Sequence, residues 1–220
     1  MGAINRVHGY WGTPNPQPLS RRGSRYASAQ IGISLNVAAP RPSRKNTMSI
    51  TLYAATVPTW LQILGAMPGL LGKAEDFCKD QGLVPEEFIQ SRLTDDMLPF
   101  AYQVRATTTH SLGAIKALRA GLCNPDLSPP PTTIAALRDL IGETITTLEA
   151  IDPGEIDSYV GKDMRFEAGA FALDFLAENF MLSFANPNFF FHATTAYDIL
   201  RVKGLQIGKR DFVGRPRLKA

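Results

Sequence analysis

The chain has 220 residues, of which 45% are hydrophobic, so it can bury one sizeable core with at most a small appendage. Its formal net charge of +3 is unevenly distributed, because residues 1–47 hold seven basic and no acidic side chains whereas residues 48–220 carry a net charge of −4. A nucleic-acid-binding domain needs a basic face, so the acidic body argues against nucleic acid as a partner.

The cysteine content and the hydropathy pattern indicate an intracellular protein. Cys78 and Cys123 are too few to form the disulfide framework of a secreted domain, and no CxxC or Cys/His ligand spacing occurs. The chain has no run of about 18 apolar residues that could span a membrane and no apolar secretion signal at its start. We therefore expect a cytoplasmic protein that contacts no membrane and whose two thiols are reduced.

The N-terminal region, residues 1–47, is rich in Gly, Pro, Ser and Arg and shows little periodicity. Such a segment cannot bury enough apolar surface to offset the entropy of ordering, so we predict a disordered extension without a catalytic role. Its Arg- and Ser-rich, acid-free composition also resembles a mitochondrial transit peptide, which leaves a mitochondrial location open. Met48 is an alternative start of the folded domain, which we place at residues 48–220.

The first long helix is predicted over residues 50–81, where apolar side chains recur at steps of three and four residues. Pro58 suits a first turn that Thr56 would cap, whereas Pro68 should kink or break the helix. Gly82 is expected to end it in a left-handed conformation.

A short helix at residues 85–90 precedes the second long helix, which we expect to run from Asp95 and Asp96 to Gly121. Acidic side chains at a helix start interact favourably with the positive end of the helix dipole. The threonine run at residues 107–109 has poor helix propensity, which weakens the prediction there.

The third long helix follows a proline-rich loop at residues 122–133 and is expected to extend to about Ile151. Either Thr132 or Thr133 can cap its first turn. The Pro and Gly at positions 153 and 154 stop it.

The fourth long helix is predicted from Pro187 to Gly204, with Asn186 as its cap. Residues 155–169 show short apolar alternation, which indicates an extended strand or a small hairpin, and residues 171–184 read as a helical lead-in. The following tail is expected to pack back on the helices. Four amphipathic helices without convincing strand alternation predict an all-α helix bundle.

A polar cluster is predicted where the second and fourth helices meet. Asn188, His192 and Thr195 are four and three residues apart, which places them on one helical face. Gln103 projects from a mostly apolar stretch of the second helix. Burying Gln103, Asn188 and His192 inside an apolar bundle lowers stability unless their polar atoms are hydrogen-bonded. Such a polar trio therefore indicates a specific role for these residues.

Three segments carry a family resemblance: DDMLPFAYQVR (95–105), NPNFFFHATTAYDILR (186–201) and GLQIGKRDF (204–212). Together they resemble an uncharacterised branch of the DinB/YfiT-like superfamily, over roughly residues 48–214. The resemblance implies a DinB-like four-helix bundle, frequently a homodimer, with a pocket where the helices converge.

Many relatives in that superfamily hold a divalent metal through three histidines, one on the second helix and two on the fourth. The resemblance places His192 at the second of that pair, Asn188 at the first, and Gln103 at the second-helix position. One imidazole with two amides is a weak site for zinc or nickel. We therefore expect no metal, and keep Gln103, Asn188 and His192 as the ligands of a weak alternative.

The leading functional hypothesis is a protein that binds an unknown small molecule or catalyses a metal-independent reaction in an apolar pocket. His192 would be its catalytic acid or base, or would orient the ligand. The remaining predicted ligand contacts are Gln103, Asn188, Thr195 and Tyr197. Whether the chain is an enzyme stays open.

Two alternatives remain. One is a divalent-metal-dependent transferase or hydrolase of the DinB type, and the other is a structural or interaction module whose polar trio fixes helix register. For His110, which lies among threonines, a structural or solvated role is expected. Tyr197 is expected more often to pack than to bind a ligand, and Arg201 to pair with Asp198 or Asp211.

Overall fold

A computed structural model describes residues 50–219. The extension predicted at residues 1–47, together with Met48, lies outside the described residues. Within them the chain is mostly helical, with one small sheet. In chain order the elements are α1 (Leu52–Gln81), α2 (Pro85–Phe88), α3 (Phe100–Thr108), a π-helical turn π1 (Thr109–Gly113), α4 (Ala114–Ala120), β1 (Leu122–Cys123), α5 (Ile134–Glu149), α6 (Pro153–Asp157), β2 (Asp163–Ala168), β3 (Phe171–Leu176), α7 (Ala177–Asn179), a second π-helical turn π2 (Phe180–Ala185), α8 (Asn186–Val202) and α9 (Lys209–Val213).

Helix α1 is capped at both ends. The Thr51 hydroxyl accepts a hydrogen bond from the Ala54 N–H at 3.2 Å. Gly82, with φ of 64°, ends the helix in the left-handed region that favours glycine, as predicted. The short helix predicted after it, α2, also forms.

Neither proline divides α1, and the predicted Thr56 cap is wrong. Pro58 and Pro68 both lie inside the 30-residue helix, and the Thr56 hydroxyl donates to the Leu52 carbonyl at 2.7 Å instead of capping. An internal proline costs a helix about 3 kcal/mol. Burial of each large apolar side chain on the inner face returns about 1.5–3 kcal/mol, so packing outweighs the local penalty.

The second long helix begins later than predicted and is interrupted. Asp95 and Asp96 lie in a turn in which the Met97 N–H donates to the Thr94 carbonyl at 3.1 Å. Pro99 is the cap residue of α3. The weak threonine run leads directly into π1, and α4 then completes the segment.

The structure shows which of two neighbouring threonines caps helix α5. The Thr133 hydroxyl accepts from the Ala136 N–H at 3.1 Å, which makes Thr133 the cap. The helix ends at Glu149, just short of the predicted end.

A three-stranded sheet corrects the all-α expectation. Strands β2 and β3 form an antiparallel hairpin with Met164 opposite Phe175, and β1 pairs parallel to β2. The helical lead-in predicted for residues 171–184 is wrong for residues 171–176, which form β3. Successive side chains of this segment alternate between the inner and outer faces of the sheet. Phe175 packs against Phe180, with ring centroids 5.9 Å apart, while Asp174 faces solvent and pairs with Arg165 at 2.6 Å.

Helix α8 continues directly from π2, so Asn186 is not its cap. Asn186 has helical backbone angles, and its side-chain oxygen instead accepts a hydrogen bond from Trp60 Nε1 at 2.7 Å. Trp60 is fully buried. This bond ties the start of α8 to α1.

The core lies where α1, α3, α5 and α8 pack together. The tail returns to this core as predicted, with Leu205 and Ile207 buried and α9 packed on α1. Both cysteines are free thiols. Within residues 50–219 no helix is both long and apolar enough to cross a membrane.

The Thr133 cap gives a direct test of the fold. Thr133→Ala should lower the free energy of unfolding by about 1 kcal/mol, because the Ala136 N–H loses its partner. Thr132→Ala is the matched control, since Thr132 is exposed and caps nothing. Urea unfolding measures both; equal losses in the two variants would contradict the assigned cap.

Candidate functional site

Helices α3 and α8 bring Gln103 and His192 together. Both side chains are buried, at 0% and 2% exposure. His192 Nδ1 lies 2.7 Å from Gln103 Oε1. The two residues are 89 positions apart in sequence, so the contact depends on the packing of the two helices.

The hydrogen-bond pattern fixes the form of the imidazole. Gln103 Nε2 donates to the Leu98 carbonyl at 2.8 Å, which turns Oε1 toward the ring. An amide oxygen only accepts, so His192 Nδ1 carries the proton and donates it. Nε2 of the neutral ring therefore presents a lone pair, and it makes no hydrogen bond with residues 50–219.

His110 stacks on His192, although its sequence context predicts only a structural or solvated role. The two rings are nearly parallel, at 9°, with centroids 5.3 Å apart. His110 lies in π1 and is part-exposed. Its position seven residues after Gln103, two helical turns along, is the signal in the sequence that could have placed it on the same face.

Both imidazoles are neutral at physiological pH. Burial, followed by the neighbouring His110 and the Arg105 charge, lowers the pKa of His192 from 6.5 to about 3. Burial and then Arg105 lower the pKa of His110 to about 4. A neutral His192 accepts a proton or a hydrogen bond at Nε2 but carries no imidazolium proton to donate.

Three rings frame His192. Its centroid lies 6.0 Å from that of Tyr102, 5.3 Å from that of His110 and 5.2 Å from that of Phe191. Each of these rings reaches the surface, and Phe191 is 46% exposed. The imidazole is therefore bordered by side chains that themselves reach the surface.

Arg105 supplies a buried positive charge beside this cluster. Its guanidinium lies 4.7 Å from the centre of the Tyr102 ring and pairs with Asp126 at 2.7 Å. Arg105 Nε is enclosed without a hydrogen-bond partner. Because Asp126 balances the charge, the site needs no ligand anion.

Asn188 and Tyr197, two of the other predicted site residues, contact partners other than His192. Asn188 Nδ2 donates to the Phe184 carbonyl one turn earlier at 2.7 Å. Tyr197 packs edge-on against Phe212, with centroids 5.7 Å apart. Thr195 is buried on the same helix as His192.

The predicted carboxylate partner of Arg201 is wrong. Arg201 Nη1 donates to the backbone carbonyls of Ile207 and Leu205 in the tail. Asp211, one of the two predicted partners, pairs with Lys73 at 2.6 Å.

Two of the predicted metal ligands make hydrogen bonds within the protein. The Gln103 oxygen accepts from the imidazole N–H, whereas Asn188 uses its amide nitrogen, not its oxygen, to donate to the Phe184 carbonyl. The described residues contain no group of three His, Cys, Asp or Glu side chains placed to hold a metal ion. One imidazole with two amide oxygens would be a weak donor set for a divalent metal.

A cleft of about 540 Å³ opens on another side of π1. It lies between the π1–α4 segment and α5, and Thr109, Lys116, Asp126 and Glu143 are among its walls. Gln103, Asn188, His192, Thr195 and Tyr197 do not line it. This cleft is therefore not the pocket that was predicted around these residues.

Comparison with known proteins identifies the family. The family model described as "Domain of unknown function (DUF1993)" matches residues 52–213. The chain belongs to the DUF1993 family. A solved structure of a DinB family member protein from Shewanella denitrificans is similar to this DUF1993 chain, with 26% identity and a TM-score of 0.64. The match covers 77% of this chain and 95% of that one.

These matches confirm the resemblance drawn from the three sequence segments, and they place this DUF1993 chain in a DinB-like branch. A comparison with curated proteins finds no match.

The low histidine pKa values predict how stability depends on pH. Between pH 6.5 and about 4 the unfolded chain binds protons that folded His192 and His110 do not. The free energy of unfolding should therefore fall as the pH falls through this window. Urea unfolding at a series of pH values should show a shallower fall in His192→Gln than in the wild type; parallel curves would contradict the buried neutral ring.

Proposed function

We propose that this chain binds a small, neutral, mostly apolar molecule whose hydrogen-bond donor meets Nε2 of His192. The observation that carries the proposal is the unpaired lone pair on that atom. Within residues 50–219 the fully enclosed side-chain nitrogen or oxygen without a partner is Arg105 Nε, so His192 Nε2 keeps some access to solvent. A ligand hydroxyl or N–H can therefore donate to it.

The environment of His192 favours a neutral ligand. The imidazole is uncharged at neutral pH, and Arg105 is already paired with Asp126. Tyr102, His110 and Phe191 offer ring faces and edges to a flat molecule. Binding would need these rings to turn outward, and Phe191 is already half-exposed.

Orientation of a ligand suits His192 better than acid–base catalysis. A catalytic base is most effective when its pKa lies near the working pH, and the pKa of His192 is about 3. We expect any reaction to be metal-independent, because one imidazole with two amides is a weak donor set for a divalent metal. A structural module is the alternative, in which solvent rather than a ligand would meet Nε2.

Phenol and benzene form a matched pair of probes, since they differ by one hydroxyl. Phenol should bind more tightly than benzene and should shift the ¹⁵N resonance of His192 Nε2 in the full-length protein. The double variant Gln103→Leu/His192→Leu should bind the two equally. Replacing both side chains leaves neither of them orphaned, and the Leu98 carbonyl that loses its donor belongs to a half-buried residue, so this variant is expected to fold.

Thermal unfolding of the double variant serves as the control for folding. Equal affinity of the wild type for phenol and benzene, or no change at Nε2 in the presence of phenol, would contradict the proposed role of His192.

We also propose that the chain forms a homodimer through β3. Within the described residues β3 is an edge strand of the sheet. Phe171 and Leu176, at its two ends, are 40% and 41% exposed. An exposed apolar edge strand favours pairing with another chain.

Sedimentation equilibrium tests the dimer. The wild type should sediment as a dimer, and Leu176→Lys should sediment as a monomer, because a charged edge resists pairing. Leu83→Lys is the control, since Leu83 is equally exposed, at 44%, but lies at the end of α1. A monomeric wild type at all concentrations would refute the proposal.

A further inference from the structure

We infer that the cleft between α4 and α5 is a second binding site, for a zwitterionic molecule with a free ammonium group and a free carboxylate. Lys116 on α4 would receive the carboxylate and Glu143 on α5 the ammonium group. Both side chains line the cleft. This site is separate from His192 and does not depend on the function proposed for it.

The cleft has the size of a small-molecule site. Its volume of about 540 Å³ falls within the roughly 300–1,000 Å³ range of ligand pockets. Its lining includes Thr108, Ala117 and Thr144, which are buried. Leu112 and Leu140 add apolar surface beside them.

The threonines of the cleft wall provide hydrogen-bond acceptors. The Thr108 hydroxyl donates to the Arg105 carbonyl at 2.7 Å, and that of Thr144 donates to the Leu140 carbonyl at 2.8 Å. Each hydroxyl has used its proton and keeps lone pairs. A ligand ammonium group can donate to such oxygens.

Among the charged side chains that line the cleft, Lys116 and Glu143 have no charged partner within residues 50–219. Asp126 is occupied by Arg105 at 2.7 Å. Within residues 50–219 neither Lys116 nor Glu143 forms an ion pair or a side-chain hydrogen bond, with each other or with a third residue. Opposite charges on two walls of one cleft, which form no ion pair with each other, match a ligand that spans them.

Other ligand charges fit less well. A purely anionic ligand would meet the Glu143 carboxylate, and a purely cationic one would meet the Lys116 ammonium group. A neutral ligand would use neither charge. Amino acids and short peptides with free ends carry both charges, and an apolar side chain would meet Leu112 and Leu140.

Calorimetric titration of the full-length protein tests the inference. The probes are leucine and the dipeptide alanyl-leucine, which differ in the distance between their charges, and N-acetyl-leucinamide, which lacks both charges. Lys116→Gln and Glu143→Gln remove one cleft charge each. Lys79→Gln and Glu149→Gln are matched controls, because both side chains are exposed and do not line the cleft.

At least one zwitterion should bind saturably, and the capped compound should not. Each cleft variant should weaken binding about fivefold, the loss of one solvent-exposed ion pair, while the controls leave it unchanged. The Gln103→Leu/His192→Leu protein should bind as the wild type does. No binding of either zwitterion, equal binding of the capped compound, or equal losses in the control variants would overturn the inference.

Discussion

The hydrogen bond between Gln103 and His192 is the constraint on which the candidate site depends. It joins α3 to α8 inside the core, and the Leu98 carbonyl sets its direction by holding the other end of the amide. Three groups in series, carbonyl, carboxamide and imidazole, therefore decide which nitrogen carries the proton. A buried amide or a buried imidazole lowers stability when it is alone, but the two satisfy each other as a pair. The pair leaves one acceptor, Nε2 of His192, available to a ligand.

The two π-helical turns shape the surroundings of that acceptor. An extra residue in a helical turn shifts the side chains that follow. In π1 the extra residue accompanies the threonine run, and His110 comes to lie flat on His192. In π2 it precedes α8, where Phe184 meets His110 with ring centroids 6.1 Å apart. Both irregular turns thus contribute rings to one cluster, while the outer side of π1 forms a wall of the separate cleft.

Much of the helical framework could be predicted from the sequence, because apolar periodicity and glycine or threonine at helix ends act locally. Helix α5 and the end of α1 follow these rules closely. The failures arose where distant contacts decide the outcome. Pro58 and Pro68 are tolerated because α1 is buried along one face, and residues 171–176 form a strand because β2 lies beside them. In the site, Gln103 and His192 meet as the spacing and the resemblance suggested, whereas His110 was missed because π1 cannot be recognised from helix propensity alone.

The bond between Trp60 and Asn186 gives the molecule an intrinsic optical probe. The indole is fully buried, and its N–H is held by a side chain at the junction of π2 and α8. The second tryptophan of the chain is Trp11. With Trp11 replaced by phenylalanine, the fluorescence of Trp60 would report separation of α8 from α1, so rearrangement at the base of the His192 helix could be followed in real time without an added label.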